Sequence, residues 1–129
     1  MMNKKDIIRH TDELLKGVPG LKEEIKIIDK ELDKETYEEA DRDKLVIRRN
    51  ELKEKLSTIS KAIIKLNDTD QRIICCRYFD KLKYEAIAPS VGYSKSSLGR
   101  RIKKVILLDI GRSIFGVEDE FWKNIIEDM

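Results

Sequence analysis

Apolar residues recur every three or four positions along most of the chain, a spacing that predicts amphipathic helices. Between residues 45 and 66 the repeat is seven residues long, with a second apolar position inside each repeat, as in coiled coils. Only Arg49 interrupts this stripe. Residues 21–32 have the same spacing, whereas residues 34–43 are almost free of apolar side chains and should contain a turn. The pattern predicts two antiparallel helices, a hairpin spanning residues 21–66.

A separate helix is expected on each side of this hairpin. Residues 3–16 form a short amphipathic pattern that ends at the Gly-Val-Pro-Gly sequence of residues 17–20, where proline and glycine disfavour continuation. After Leu66, Asp68 and Gln71 approximate a capping box, so a new helix should begin there and end near Asp80.

Residues 81–105, KLKYEAIAPSVGYSKSSLGRRIKKV, match the pattern of a helix-turn-helix. Gly92 lies at the bend between the two helices, and the helix of residues 67–80 would support them from behind. Pro89 falls within the first helix, which we expect to kink or end early there. The positions expected to close the small core are Ile87, Ala88, Val91, Tyr93, Leu98 and Ile102.

The polar side chains of this unit are mostly hydrogen-bond donors. On the outer face of the second helix, predicted over residues 94–108, they suit phosphate oxygens and base edges in the major groove of DNA. An ordinary solvated surface is the alternative. Arg77 is expected to form a surface ion pair with Glu85 or to contact phosphate. The candidate DNA-binding residues are Lys83, Ser94, Lys95, Ser96, Ser97, Arg100, Arg101 and Lys104.

The distribution of charge supports this interpretation. The chain has 129 residues, 40% of them charged and 6% aromatic, a balance that favours an all-α fold. Its net charge is only +2, but residues 71–112 carry 10 basic and 3 acidic residues, a net of +7. Residues 1–70 have a net charge of −1 and residues 113–129 of −4. The basic block coincides with the helix-turn-helix, as expected of a duplex-DNA-binding protein.

Signals for other chemistry are sparse. Cys75 and Cys76 are adjacent in an apolar run, so we expect reduced thiols near a core, with a vicinal redox pair as the alternative. His10 is the only histidine, and we predict no metal site, no cofactor and no enzymatic activity. Neither a bilayer-spanning run nor a signal-peptide core is visible, so a cytoplasmic protein without membrane contact is expected.

The predicted organisation has three parts: a hairpin region (1–66), a helix-turn-helix domain (67–112) and an acidic capping helix (113–129). The hairpin either packs on itself or also offers its seam to a second copy of the chain. The distal half of the second helix, around Val105, Ile106 and Leu108, is too apolar to remain exposed. We expect the acidic tail to cover it, with Trp122 as a packing anchor.

Residues 66–105 also resemble, without a gap, the promoter −35-binding region of bacterial sigma factors. The matching positions are Leu66, Arg72, Ile74, Arg77, Tyr78, Tyr84, Glu85, Ile87, Ala88, Val91, Gly92, Tyr93, Ser94, Leu98, Arg101 and Ile102. The layout of a charged hairpin, RYF, IA-x-x-VGYS and a C-terminal IFG resembles small sigma-like regulators of phages and prophages, including the ArpU-type late-gene regulators. The resemblance implies that Ser94 caps a recognition helix and that this helix controls transcription.

The chain departs from sigma factors in one respect. Sigma factors open promoters with an aromatic-rich region upstream, but Tyr37 is the only aromatic residue before Tyr78. We therefore expect a transcriptional regulator that binds a specific duplex site, with a hairpin that contacts a second copy or RNA polymerase. The alternatives are a DNA-packaging protein like phage small terminases, which would form a ring, and a polymerase-binding module that does not contact DNA.

Overall fold

The computed structural model describes residues 3–34 and 38–116, and every regular element in these two ranges is helical, as the sequence predicts. A π-helical segment, Cys75–Phe79, extends the helix Asp68–Ile74, and a second one, Ile102–Ile106, joins Lys95–Arg101 to Leu107–Phe115 in one continuous helix. None of the helices in these ranges is long and apolar enough to cross a membrane. The helices are α1 (Lys4–Lys16), α2 (Val18–Leu32), α3 (Glu39–Ile64), α4 (Asp68–Ile74), α5 (Tyr84–Val91), α6 (Lys95–Arg101) and α7 (Leu107–Phe115).

Helix α1 begins and ends where the sequence predicts. The Asn3 side chain accepts a hydrogen bond from the backbone N–H of Asp6 at 2.9 Å and completes a capping box. The break after α1 is shorter than expected, because α2 already begins at Val18 and Pro19 lies in its first turn. Proline is tolerated there because the first N–H groups of a helix have no intrahelical partner.

Helices α2 and α3 pack side by side in opposite directions. Arg42 Nη1 donates to the carbonyl of Leu32 at 2.8 Å, and further along Arg48 Nε lies 3.0 Å from Glu24 Oε1. Arg49, which interrupts the apolar stripe, is half-buried and pairs with a carboxylate of α2. The buried positions of these two helices are Val18, Ile28, Leu52, Ile59, Ala62 and Ile63.

Helix α4 begins at Asp68, where the sequence predicts a new helix, but a different residue caps it. Its N-cap is Asn67, whose Oδ1 accepts the backbone N–H of Asp70 at 2.8 Å, so the capping box expected at Asp68 is wrong. Gln71 instead donates from Nε2 to the carbonyl of Leu66 at 2.8 Å. Asparagine caps as well as aspartate does, and the extended backbone at residue 67 places its side chain over the first turn.

The buried core crosses the domain boundary predicted between residues 66 and 67. One cluster of buried side chains joins Leu15 of α1 and Ile59 of α3 to Ile73, Leu98 and Ile110 from the later helices. The N-terminal helix and the end of α3 are therefore part of the same core as α4–α7.

Helix α1 packs against α7. Helix α7 continues without a break across the domain boundary predicted between residues 112 and 113. The expectation that the distal apolar positions are buried is confirmed for Ile106 and Leu108, whereas Val105 is only half-buried. The two helices approach each other closely at Gly111, where a Cβ atom would lie 2.3 Å from Ile7 Cγ2 and 2.5 Å from Thr11 Oγ1. The acidic tail and Trp122, which we expected to cover this helix, lie outside the described residues.

Candidate nucleic-acid interface

The turn between α5 and α6 is built as the sequence predicts. Gly92 adopts the left-handed conformation (φ 76°) that ends α5, and the N–H of Tyr93 donates to the carbonyl of Ala88 at 3.2 Å. Pro89 does not end α5 early, contrary to expectation. Pro89 is exposed and lies in the last turn of α5, which continues for only two more residues, to Val91. The backbone N–H group that proline lacks therefore removes only one hydrogen bond near the end of the helix. The core positions Ile87, Ala88, Leu98 and Ile102 are buried.

The predicted cap of α6 is confirmed. Ser94 Oγ accepts the backbone N–H of Ser97 at 3.2 Å and donates to Ser97 Oγ at 2.9 Å. The hydroxyl groups of both serines therefore serve mainly to begin the helix. Ser96, between them in sequence, is exposed on the outer surface.

A shallow groove runs along one side of α6, and we call it the basic groove. Gly99 forms part of it, because a Cβ atom there would lie 3.4 Å from the Tyr84 ring and would cover that ring. The groove is lined by Tyr84, Ser94, Lys95, Ser96, Gly99, Arg100, Lys103 and Lys104.

A second depression lies on the other side of α6 and is lined by Tyr93, Ser97, Arg100, Arg101, Lys104 and Val105. Arg100 and Lys104 line both depressions, so they lie on the crest between them. Together with Lys103 they form a cationic ridge whose three side chains belong to exposed residues. Five of the predicted DNA-binding residues thus line the basic groove: Ser94, Lys95, Ser96, Arg100 and Lys104. Lys83, which is exposed at the N-cap of α5, lines neither depression.

Sequence reasoning missed Lys103. Its position three residues after Arg100 is the signal that could have found it, because residues three or four apart share a helix face. The π-helical segment that begins at Ile102 turns the following residues relative to an α-helical projection, which the sequence pattern does not reveal.

Arg101 faces α4 and not the solvent ridge. Its Nη2 and Nε atoms lie 2.6 and 3.1 Å from the two carboxylate oxygens of Asp70. The Asp70 side chain is 4% exposed and that of Arg101 30%. These hydrogen bonds raise the pKa of Arg101 above its ordinary value. The pair fixes α6 against the helix behind it.

Two further contacts stabilise the start of α5. Lys95 Nζ lies 2.5 Å from Glu85 Oε1, and this hydrogen bond lowers the pKa of Glu85. The expected ion pair between Arg77 and Glu85 is therefore wrong. Arg77 instead stacks on Tyr84, with its guanidinium carbon 4.2 Å from the ring centroid, and donates to the carbonyl of Leu82 at 3.2 Å.

The structure also bears on the two other kinds of site considered from the sequence, a metal site and a cysteine redox pair. Within the described ranges, no three His, Cys, Asp or Glu side chains are grouped as metal ligands would be. Cys75 and Cys76 are free, half-buried thiols, as the sequence predicts. Burial, and then the neighbouring Cys76, raise the pKa of Cys75 and disfavour the thiolate that a redox pair would need.

Comparison of the chain with protein-family models, with curated proteins and with solved structures gives no match.

Proposed function

We propose that this protein is a sequence-specific duplex-DNA-binding transcriptional regulator of the phage or prophage type. In this proposal α5 and α6 are the two helices of a sigma-type helix-turn-helix, and α6 enters the major groove. The observation that carries it is the cationic ridge of Arg100, Lys103 and Lys104, exposed on a helix that the pair of Arg101 and Asp70 holds against α4.

The chemistry of the ridge matches the two kinds of contact that DNA recognition needs. Arg100 carries a planar guanidinium that can bind the O6 and N7 atoms of guanine with two hydrogen bonds. Lys103 and Lys104 flank it with ammonium groups, which suit phosphates. Lys95 and Ser96 lie at the start of the same groove, where the first turn of a recognition helix contacts DNA.

Arg101 has a different role in this proposal from the one its sequence position suggests. Because both carboxylate oxygens of Asp70 already accept hydrogen bonds from its guanidinium, we assign it to positioning α6. Lys83 remains a candidate phosphate contact at the edge of the unit.

The proposal is tested by selection from a pool of random duplex DNA followed by sequencing, at two salt concentrations. A recurring sequence motif whose affinity falls as salt rises would support the proposal, because neutralised phosphates release counterions. The motif's symmetry would report whether a dimer binds. Absence of binding, or binding without sequence preference at both salt concentrations, would overturn it.

Arg100→Ala is expected to weaken binding to the selected site by about 2 kcal/mol, roughly 30-fold, and to relax the preference at one base pair. Arg100→Lys should keep part of the affinity but lose the same preference, since an ammonium cannot form the paired contact. Titration of a fluorescent duplex measures both effects. Arg48→Ala, an equal change of charge on α3, is the control and should leave affinity nearly unchanged.

We also propose that the α2–α3 hairpin contacts a second copy of the chain. Two large apolar residues on its outside support this, Ile27 at 52% and Ile47 at 59% exposure. The double substitution Ile27→Lys and Ile47→Lys should convert a dimer to a monomer in sedimentation velocity at micromolar concentration. A wild-type monomer would instead favour the alternative contact with RNA polymerase, and a closed ring would favour a packaging protein.

A further inference from the structure

A second basic surface adjoins the cationic ridge, in a cleft of about 600 Å³ between α1, the π-helical extension of α4 and the α6–α7 helix. Its floor is mainly apolar, and its rim carries the charged side chains Lys5, Arg9, Asp12, Lys16, Arg77 and Lys103. Five of these six are cations. Tyr84 and Lys103 also line the basic groove, so the two surfaces are continuous.

The single carboxylate of the rim is already engaged. Tyr78 Oη donates to Asp12 Oδ1 at 2.5 Å, and Lys16 Nζ lies 2.8 Å from Asp12 Oδ2. Burial alone would raise the pKa of Asp12, but these two hydrogen bonds bring it below its ordinary value. Lys16 therefore balances the negative charge of Asp12, and the Tyr78 hydroxyl fixes the orientation of its carboxylate. This carboxylate should repel an incoming anion only weakly.

The remaining cations of α1 are accessible. Lys5 is exposed, and Arg9, whose side chain is 64% exposed, makes only a long 3.6 Å contact with Asp6. From residue 5 to residue 9 the helix rises about 6 Å. This length corresponds to roughly two nucleotides of one DNA strand.

We propose that α1 is a second DNA-contacting element, which binds the phosphodiester backbone beside the groove that α6 enters. Lys5 and Arg9 contact phosphates, and Lys103 joins this track to the cationic ridge. This inference rests on the proposed function and deepens it, since it extends the DNA-binding surface to a part of the chain outside the helix-turn-helix. The contacts are to phosphate alone, so they add affinity without sequence preference.

The experiment compares the full-length double variant Lys5→Ala/Arg9→Ala with the double variant Lys26→Ala/Lys30→Ala, which removes the same charge from exposed positions of α2. The measured quantity is the slope of log affinity against log salt concentration, on the selected site and on a scrambled duplex. Loss of two phosphate contacts should reduce the steepness of this slope by about 1–2 for the first variant on both duplexes. The control should keep the wild-type slope.

Two outcomes would overturn the inference: an unchanged slope in Lys5→Ala/Arg9→Ala, or an equal reduction in the control, which would mean that net charge alone is responsible. A titration with inorganic phosphate, monitored by calorimetry, distinguishes a site for free phosphate from a site for the phosphates of DNA. Phosphate binding that depends on Lys5 and Arg9, with an unchanged DNA slope, would place a free anion in the cleft and also overturn the inference. Arg100→Ala distinguishes failure of the proposed DNA-binding function from failure of the role proposed for α1. If it weakens DNA binding while Lys5→Ala/Arg9→Ala does not, only the role of α1 fails.

Discussion

Substitution Arg101→Ala is expected to lower the free energy of unfolding by about 3 kcal/mol, although Arg101 lies in the most basic part of the sequence. The reason is the nearly buried carboxylate of Asp70, which would lose both hydrogen bonds from the guanidinium. Only the amide of Asn67, at 3.2 Å from Oδ2, and solvent entering the vacated space would then compensate it. Urea denaturation followed by circular dichroism measures the change.

The neighbouring residue supplies a matched control for this prediction. Arg100→Ala removes the same side chain from an exposed position and should change the unfolding free energy by no more than about 0.5 kcal/mol. Asp70→Asn provides a second comparison, because it removes the charge from behind α6 without altering the ridge. Reduced DNA affinity in folded Asp70→Asn would support a positioning role for the pair. An Arg101→Ala variant of wild-type stability that has lost base preference would contradict that role.

Gly111→Ala is expected to destabilise the protein by about 3 kcal/mol, even though alanine favours helices by about 1 kcal/mol over glycine. A Cβ atom at this position would lie 2.3 Å from Ile7 Cγ2 and 2.5 Å from Thr11 Oγ1, distances at which α1 and α7 must separate. Thr11 has little freedom to move, because it is buried and its hydroxyl donates to the carbonyl of Ile7 at 2.6 Å.

Gly20 is the control for Gly111, since it lies within a helix and a Cβ atom there has no neighbour within 4 Å. Gly20→Ala should stabilise the protein by about 0.5–1 kcal/mol. Thermal and urea unfolding of both variants measure the contrast. Equal stability of the two alanine variants would show that α1 and α7 do not approach this closely in solution.

Local features of this fold could be predicted from the sequence because each depends on residues that are close in the chain. The turn at Gly92 and the cap at Ser94 are set by backbone conformation and by hydrogen bonds between residues at most five apart. The antiparallel packing of α2 and α3 follows from two apolar stripes joined by a short polar connection.

Features that depend on distant residues could not be predicted in the same way. The amphipathic pattern of α1 indicates that one face is buried, but not that α7 buries it. Likewise, the charge of Arg101 is visible in the sequence, but its partner Asp70 lies 31 residues earlier in the chain. The π-helical segment at Ile102 also has no signature in the spacing of apolar residues.

The contact of α1 with α7 has a practical consequence for any dissection of the chain. A fragment cut at the apparent boundary, residues 67–112, would retain the candidate DNA-binding side chains of the helix-turn-helix but not Lys5 and Arg9 of α1. It would also uncover Gly111 and the part of the shared core that α1 and the end of α3 complete. Such a fragment is expected to aggregate or to lose fixed tertiary structure. The proposed DNA-binding unit is thus not a portable module, and transplanting it into another protein would require α1 and the end of α3 to be carried with it.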